Sequence, residues 1–277
     1  MTHRRSSALA SDDRRLRTFV LDQRIRYRYS EPVTNLHQRL RVVPPSAHGP
    51  QQRRRWQLSV EGVKSSSMRT FLDRFGNVTV DVFVPQVDDE VEFVLDVEAC
   101  ADRSGSCETD FDRGYLRPTR LTEPDEIITE IASGVSGADL GSICTWVHRS
   151  LDYEWGVTGV HTTASEALAG GRGVCQDYAH IMLAVCRTAG LAARYVSGHL
   201  TGEGGSHAWV EVLQPHPDHQ AGWISEGWDP THNRRTGADY LVVAVGRDYT
   251  DVAPLSGTYD GKSARNFLAV EKRLDQK

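Results

Sequence analysis

Three side chains of this sequence have the types and the order of a nucleophile, a base and an orienting acid. They are Cys175, His207 and Asp229, separated by 32 and 22 residues. A cysteine whose thiol is deprotonated by a histidine can attack a carbonyl carbon, and an aspartate can hold that imidazole in the required tautomer. This set predicts covalent chemistry that passes through a thioester.

The cysteine follows a glycine-rich stretch and opens a predicted helix. Glycines stand at 170, 171 and 173, and Gly190 is placed where a helix ends in a left-handed residue. At the first turn of a helix, the unpaired N–H groups and the helix dipole favour an anion, which here would be the thiolate of Cys175. The pattern predicts an amphipathic helix whose buried face comprises Tyr178, Met182, Val185, Cys186 and Ala189.

The other two side chains stand at the ends of predicted strands. Residues 206–212 alternate between polar and apolar side chains, with His207 at the start. Residues 223–231 read as a second strand that ends at Asp229, where Pro230 restricts the backbone. A helix followed by two neighbouring strands would bring Cys175, His207 and Asp229 together.

These three stretches resemble the motifs of the bacterial transglutaminase-like superfamily. The resemblance covers about residues 125–277, and it implies a papain-like α+β core with the cysteine on a helix and the histidine and aspartate on adjacent strands. The segment from about Tyr27 to Ala99 is similar to the β-rich domain that precedes this core in many bacterial members. The matching segments are Gly173-Val174-Cys175-Gln176-Asp177-Tyr178-Ala179, Ser206-His207-Ala208-Trp209-Val210-Glu211, Gly227-Trp228-Asp229-Pro230-Thr231, Tyr27-Arg28-Tyr29-Ser30-Glu31-Pro32-Val33 and Asp73-Arg74-Phe75-Gly76-Asn77.

The chain divides into four predicted parts. Residues 1–20 form a flexible lead-in, 21–100 a small β-rich domain, 101–124 a linker and 125–277 the core. Short strands separated by turn residues predict a β-sandwich or an antiparallel sheet in the second part. They cover residues 18–29, 36–43, 56–60, 78–84 and 91–97.

Two loops carry alternatives to this interpretation. The acids at 102, 108, 110 and 112 could bind calcium, but they lack the spacing of an EF-hand. The glycines at 170–173 could cradle a phosphate, but no Gly-Lys-Ser/Thr follows them. We therefore expect a linker in the first case and an approach to the nucleophile in the second.

The rest of the core is predicted from helical spacing and capping. Helices are expected at residues 125–133 and 140–151, and Thr163 with Glu166 has the form of a capping box that begins a short helix. Strands are expected at 193–200, 240–245 and 267–270. The fold class is thus α+β, with a helix-borne cysteine packed on an antiparallel sheet and a small β-sandwich-like domain before it.

The composition of the chain indicates the redox compartment in which this chemistry takes place. The chain of 277 residues has a net charge of −5 and five unevenly spaced cysteines, which favours free thiols and a cytoplasmic location. A disulfide between Cys100 and Cys107 is the alternative.

The arginines at 53–55 could bind nucleic acid, but no zinc-finger spacing or aromatic platform supports that function, so neither nucleic acid nor a membrane is an expected partner. His216 and His219 have no evident third ligand, and we expect neither a metal nor a cofactor.

The predicted function is thiol-dependent acyl transfer or hydrolysis at an amide of a peptide or protein. The backbone N–H of Cys175 is the first candidate donor to the oxyanion, and Trp155 or Tyr153 could be the second. Two alternatives stay open: a cysteine peptidase or amidase on the same core, and a non-catalytic module that binds peptides. The sequence does not choose between water and an amine as acceptor, and it does not fix the oligomeric state.

Overall fold

The computed structural model describes residues 16–101, 106–134, 139–216, 222–261 and 264–277. Most of the predicted lead-in lies outside these residues, and so does His219, the second of the two histidines considered as metal ligands. The first strand already begins at Arg17, inside the stretch expected to be flexible.

Seven strands precede the core, and five of them contain a predicted segment. The two that were not predicted are Ala47–His48, which is very short, and Ser67–Leu72, which is exposed at a sheet edge. The second has apolar side chains on both faces, so it lacks the alternation of a half-buried strand. The strands are β1 (Arg17–Tyr29), β2 (Val33–Leu40), β3 (Ala47–His48), β4 (Gln51–Glu61), β5 (Ser67–Leu72), β6 (Val78–Val87) and β7 (Glu90–Ala101).

The remaining chain alternates between helices and strands. Its elements are β8 (Ser106–Glu108), 3₁₀ turns at Arg113–Leu116 and Arg120–Thr122, α1 (Glu126–Gly134), α2 (Leu140–Ser150), β9 (Asp152–Tyr153), α3 (Ala164–Gly170), β10 (Arg172–Gly173), α4 (Cys175–Thr188), β11 (Ala192–Leu200), β12 (His207–Pro215), β13 (Trp223–Asp229), β14 (Arg234–Arg235), β15 (Tyr240–Gly246), α5 (Tyr249–Val252), β16 (Leu255–Asp260) and β17 (Asn266–Gln276).

The N-terminal strands form two antiparallel sheets that pack on each other. One sheet has the order β17-β1-β7-β4-β3 and the other β16-β2-β6-β5. Their inward side chains, such as Phe19, Leu40 and Phe93, build one shared apolar cluster. Apolar and polar side chains alternate along each strand, so each sheet has one apolar face. The two apolar faces pack against each other, as in other β-sandwiches. The expected β-sandwich is therefore present.

The last two strands differ from the expected domain boundary. Residues 125–277 were expected to form the core, but β16 pairs with β2 and β17 pairs with β1. The expected linker also contributes to the core, because β8 pairs with β13. Pairing between strands more than two hundred residues apart leaves no local pattern, so the sequence places both strands in the wrong part.

The core sheet is antiparallel, with the order β14-β13-β12-β11-β15 and β8 paired to β13. Helix α4 packs on this sheet, and α1, α2 and α3 pack on α4. Every residue from Asp177 to Arg187 is consequently buried. The amphipathic helix predicted here is thus wrong in one respect: the helix is central and has no solvent face. The α+β class and the helix-on-sheet arrangement are confirmed.

Candidate active site

The nucleophile helix begins after a chain reversal built by glycine. Gly171 caps α3 in the left-handed region, with φ of 63°, and its N–H donates to two carbonyls of that helix. The chain then pairs with β9 through β10 and enters α4 at Cys175. Cys175 is only partly buried. The thiol-bearing residue therefore sits at an open helix N-terminus, as predicted.

Asp177 fixes this approach from inside the helix. Its Oδ2 accepts hydrogen bonds from the backbone N–H of Val174 at 2.8 Å and from the hydroxyl of Thr158 at 2.7 Å. Burial raises the pKa of Asp177, and these hydrogen bonds oppose the rise. A Cβ on Gly173 would lie 2.7 Å from Asp177 Oδ2, so this position excludes a side chain. The glycine is needed for contact with Asp177, whereas the sequence suggested close approach to the nucleophile.

His207 contacts both other members of the predicted set. Its Nε2 lies 2.7 Å from Oδ2 of Asp229, and its second hydrogen-bond partner is Cys175. The imidazole is buried, which lowers its pKa, but the hydrogen bonds to Asp229 and Cys175 outweigh this and raise the pKa of His207 to about 10. The three side chains thus form one contiguous chain from thiol to carboxylate.

Asp229 is wholly buried and accepts hydrogen bonds from several donors. The hydroxyl of Tyr240 lies 2.7 Å from Oδ2, and the backbone N–H of Thr231 lies 2.9 Å from Oδ1. Although burial opposes it, the hydrogen bonds from His207, His232 and Tyr240 hold the pKa of Asp229 well below its usual range. An ionised carboxylate only accepts hydrogen bonds, so Nε2 of His207 carries the hydrogen, and the other nitrogen is left for the thiol.

Two further residues belong to this cluster, and the sequence did not single them out. Nδ1 of His232 lies 2.9 Å from Asp229 Oδ2. Glu203 lies between the two imidazoles, with Oε2 3.3 Å from His207 Nδ1 and Oε1 3.2 Å from His232 Nε2. Both stand in a loop or turn, four residues before His207 and three after Asp229. That spacing is the only signal the sequence offers.

Two of the candidate oxyanion donors lie beside the nucleophile. Pairing of β9 with β10 sets Tyr153 next to Gly173, and the Tyr153 side chain hydrogen-bonds that of Trp155. Burial, and then the charges of Cys175 and Glu203, raises the pKa of Tyr153 to about 12. Its hydroxyl therefore keeps its proton as a donor. Trp155 is 76% exposed and lines a pocket together with Ser206, the residue before His207.

The other cysteines differ from Cys175 in their surroundings. All five are free thiols, as predicted, so Cys100 and Cys107 are not bridged. Burial raises the pKa of Cys107 to about 11 and those of Cys144 and Cys186 to about 12. Cys175 is the one cysteine that is not buried.

One group of side chains has the composition of a metal site. His207, Asp229 and His232 place ligand atoms within 4.8 Å of one another. One nitrogen of each imidazole, Nε2 of His207 and Nδ1 of His232, lies at hydrogen-bond distance from Asp229, so these atoms already serve as donors and acceptor. The arrangement fits a hydrogen-bond network better than a ligand set. The expectation that no metal or cofactor takes part stays a prediction.

Among the described residues, no helix is long and apolar enough to cross a membrane.

Comparison with known proteins agrees with this architecture. Residues 129–226 match the model of the transglutaminase-like superfamily, and residues 20–99 match the bacterial transglutaminase-like N-terminal region. A solved structure from Cytophaga hutchinsonii, described as a candidate cysteine protease, superposes with a TM-score of 0.74 at 19% identity, covering 94% of this chain and 91% of that one. At this identity the superposition shows a shared fold.

Two mycobacterial relatives, both uncharacterised, are similar in sequence. The Mycobacterium leprae protein is 45% identical over a region covering 45% of this chain and 46% of its own, and the Mycobacterium tuberculosis protein is 34% identical over 58% and 51%. The chain thus spans about half the length of the curated relatives it matches. It contains a region similar to the transglutaminase-like superfamily, preceded by one similar to the bacterial transglutaminase-like N-terminal region, in the order that the sequence motifs predict.

Proposed function

We propose that this protein is a cysteine acyltransferase or hydrolase that acts on an amide of a peptide or protein through Cys175, His207 and Asp229. The observation that carries the proposal is the unbroken contact from the thiol to the imidazole to a buried carboxylate, placed at an open helix N-terminus. The match of residues 129–226 to the transglutaminase-like superfamily supports thiol-dependent chemistry of this general kind.

In the first half-reaction, the thiolate of Cys175 attacks the amide carbonyl carbon and the C–N bond breaks. The hydrogen held by the imidazole of His207 passes to the leaving nitrogen, so ammonia or an amine departs neutral. Asp229 supports the imidazolium that precedes this transfer and fixes its ring. The backbone N–H of Cys175 and the hydroxyl of Tyr153 stabilise the oxyanion.

In the second half-reaction, neutral His207 takes a proton from water or from an amine as that acceptor attacks the thioester. The C–S bond breaks and the thiolate returns. Hydrolysis and transfer therefore use the same residues and differ only in the acceptor that reaches the thioester.

The test begins with the alkylation rate of each cysteine by iodoacetamide, read by peptide mass spectrometry below about pH 7, where an ordinary thiol is largely protonated. We expect Cys175 to react fastest and to lose its advantage in His207→Ala. The four buried cysteines are internal controls. If Cys175 reacts no faster than they do, the non-catalytic peptide-binding module takes the place of this proposal.

A panel of peptide amides then identifies the reaction by product mass. Deamidation indicates hydrolysis at a side chain, a product joined to an added amine indicates transfer, and loss of a peptide fragment indicates a peptidase. Cys175→Ala should give none of these products.

A further inference from the structure

The carboxylate of Glu203 lies on the edge of His207 that faces the reaction. Its Oε2 is 3.3 Å from Nδ1, whereas Nε2 of the same ring is bound to Asp229 at 2.7 Å. Nδ1 is therefore the nitrogen that serves the thiol and the substrate, and Glu203 is an additional acceptor beside it. Among the described residues, no other carboxylate is within ion-pair distance of this nitrogen.

His232 holds Glu203 in this position. Its Nε2 lies 3.2 Å from Oε1 of Glu203, and its Nδ1 lies 2.9 Å from Oδ2 of Asp229. The two carboxylates and two imidazoles thus close a ring of four side chains. Glu203 keeps one oxygen on His232 while the other stays next to His207. Its side chain is 34% exposed, so an incoming molecule can reach the carboxylate.

The backbone also anchors Glu203. The loop between β11 and β12 turns at Gly202, whose φ is 92°, and the N–H of Glu203 donates to the carbonyl of Leu200 at 3.2 Å. On the far side, the ammonium of Lys272 in β17 donates to the carbonyl of Gly205. A strand of the sandwich therefore supports the loop that carries Glu203.

We propose that Glu203 is a catalytic residue of the second half-reaction, in which it orients the acceptor that attacks the thioester. This proposal rests on the proposed function. Water and a primary amine each carry at least two hydrogens on the attacking atom. One is transferred to Nδ1 of His207 as the bond to the acyl carbon forms, and Glu203 accepts a hydrogen bond from the other without removing it. The C–S bond then breaks and the thiolate of Cys175 is restored, so atoms and charge balance.

The first half-reaction requires less of the groups beside Nδ1 of His207. There the imidazolium gives up a hydrogen to the leaving nitrogen, and no second hydrogen has to be held. Loss of Glu203 should therefore slow deacylation and leave acylation unchanged. A residue with only a structural role would slow both half-reactions together or neither.

The experiment uses p-nitrophenyl acetate, whose leaving group needs no proton from His207, so that the burst of p-nitrophenolate reports acylation. The loss of the acetyl group from Cys175, followed by intact-protein mass spectrometry, reports deacylation, with water alone and with added methylamine. The proteins are the full chain, Glu203→Gln, Glu203→Ala, and Glu154→Gln as the matched control. Glu154 is a neighbouring carboxylate paired with Arg172 and is not in contact with His207. Cys175→Ala is the blank.

We expect deacylation to slow roughly 10- to 100-fold in Glu203→Ala, the size expected for one lost hydrogen bond to a charged group, and less in Glu203→Gln, whose amide oxygen still accepts. The burst rate should be unchanged in both variants, and Glu154→Gln should behave as the parent protein. Equal deacylation rates in parent and Glu203→Ala overturn this role, and so does an equal loss in both half-reactions. If Cys175 of the parent forms no acetyl thioester at all, the proposed function fails together with it.

Discussion

Among the described residues, strand β12 contributes one member to each of two histidine–carboxylate contacts shorter than 3 Å. His207 meets Asp229 at 2.7 Å, and His48 meets Glu211 at 2.8 Å. His207 and Glu211 are four residues apart on the same strand. The two distances are nearly equal and both carboxylates are buried, although His48 is only half-buried. A short contact between a histidine and a buried carboxylate is therefore not sufficient to identify a site.

The residues around the two carboxylates distinguish the His48–Glu211 pair from the His207–Asp229 pair. The guanidinium of Arg194 lies 2.7 Å from Oε2 of Glu211, and the hydroxyl of Ser225 donates to the same oxygen. Despite burial, the charge of Arg194 holds the pKa of Glu211 well below its usual range. Glu211 is thus neutralised by a fixed cation that carries no transferable proton. Among the described residues, the basic side chains paired with Asp229 are imidazoles, and one of them touches a thiol. On the proposed function, the His48–Glu211 pair is structural and the His207–Asp229 pair takes part in proton transfer.

The largest expected effect concerns the two carboxylates. Asp229→Asn should lower kcat/KM on a peptide amide by roughly 10⁴-fold, because an amide no longer stabilises the imidazolium and favours the wrong tautomer. Glu211→Gln should leave the rate of correctly folded protein unchanged. Steady-state kinetics on both variants, with circular dichroism as the folding check, tests this. A comparable rate loss in Glu211→Gln would remove the distinction.

The next effect acts on stability. Arg194→Met should lower the free energy of unfolding by about 3–5 kcal/mol, because it leaves Glu211 buried without its cation. Urea denaturation followed by tryptophan fluorescence measures the change. The alkylation rate of Cys175 in the folded variant should equal that of the parent protein. A stability loss below about 1 kcal/mol would indicate that water replaces the guanidinium.

The third effect is a dependence on pH. The pKa of His207 is raised to about 10 in the folded chain, so its contribution to stability is complete below its unfolded value of about 6.5 and is lost as pH rises through about 10. The free energy of unfolding should fall by up to about 1.4 kcal/mol per pH unit in that window. Denaturation of His207→Gln should show a flatter alkaline limb, and Glu211→Gln should keep the slope of the parent. Identical slopes in all three proteins would contradict the His207 assignment.

The smallest effect belongs to His48. His48→Gln should cost only about 1 kcal/mol, since Arg194 and Ser225 still donate to Glu211. The same urea titration gives the value. A loss as large as that of Arg194→Met would show that His48 and Arg194 share the neutralisation of Glu211 equally.

The members of the site that could be predicted are those at the ends of regular elements. Cys175 follows glycines at a helix start, and His207 and Asp229 stand where alternating strands begin and end, so local patterns are enough to order them. Glu203 and His232 lie in a loop and a turn, and only the folded backbone brings them to the same imidazole. Nothing in their immediate sequence distinguishes them from solvent-exposed residues.

Local sequence patterns predict the fold with the same limit as they predict the site. The strands of the sandwich that are buried on one face were predicted from alternation, whereas β5, exposed at an edge, was not. Helix α4 was predicted, but not its complete burial, because burial on its other side depends on helices that precede it in the chain. Pairing of β17 with β1 is invisible to any local window.

The pairing of β16 and β17 with the N-terminal strands also determines when the sandwich can form during synthesis. The strands β1 and β2 leave the ribosome more than two hundred residues before the strands that cover their open edges. The sandwich therefore cannot be completed before the thiol-bearing core has emerged, and closing so long a loop makes its formation slow. Until β16 and β17 arrive, the nascent chain presents two unpaired strand edges of the kind that chaperones shield from aggregation.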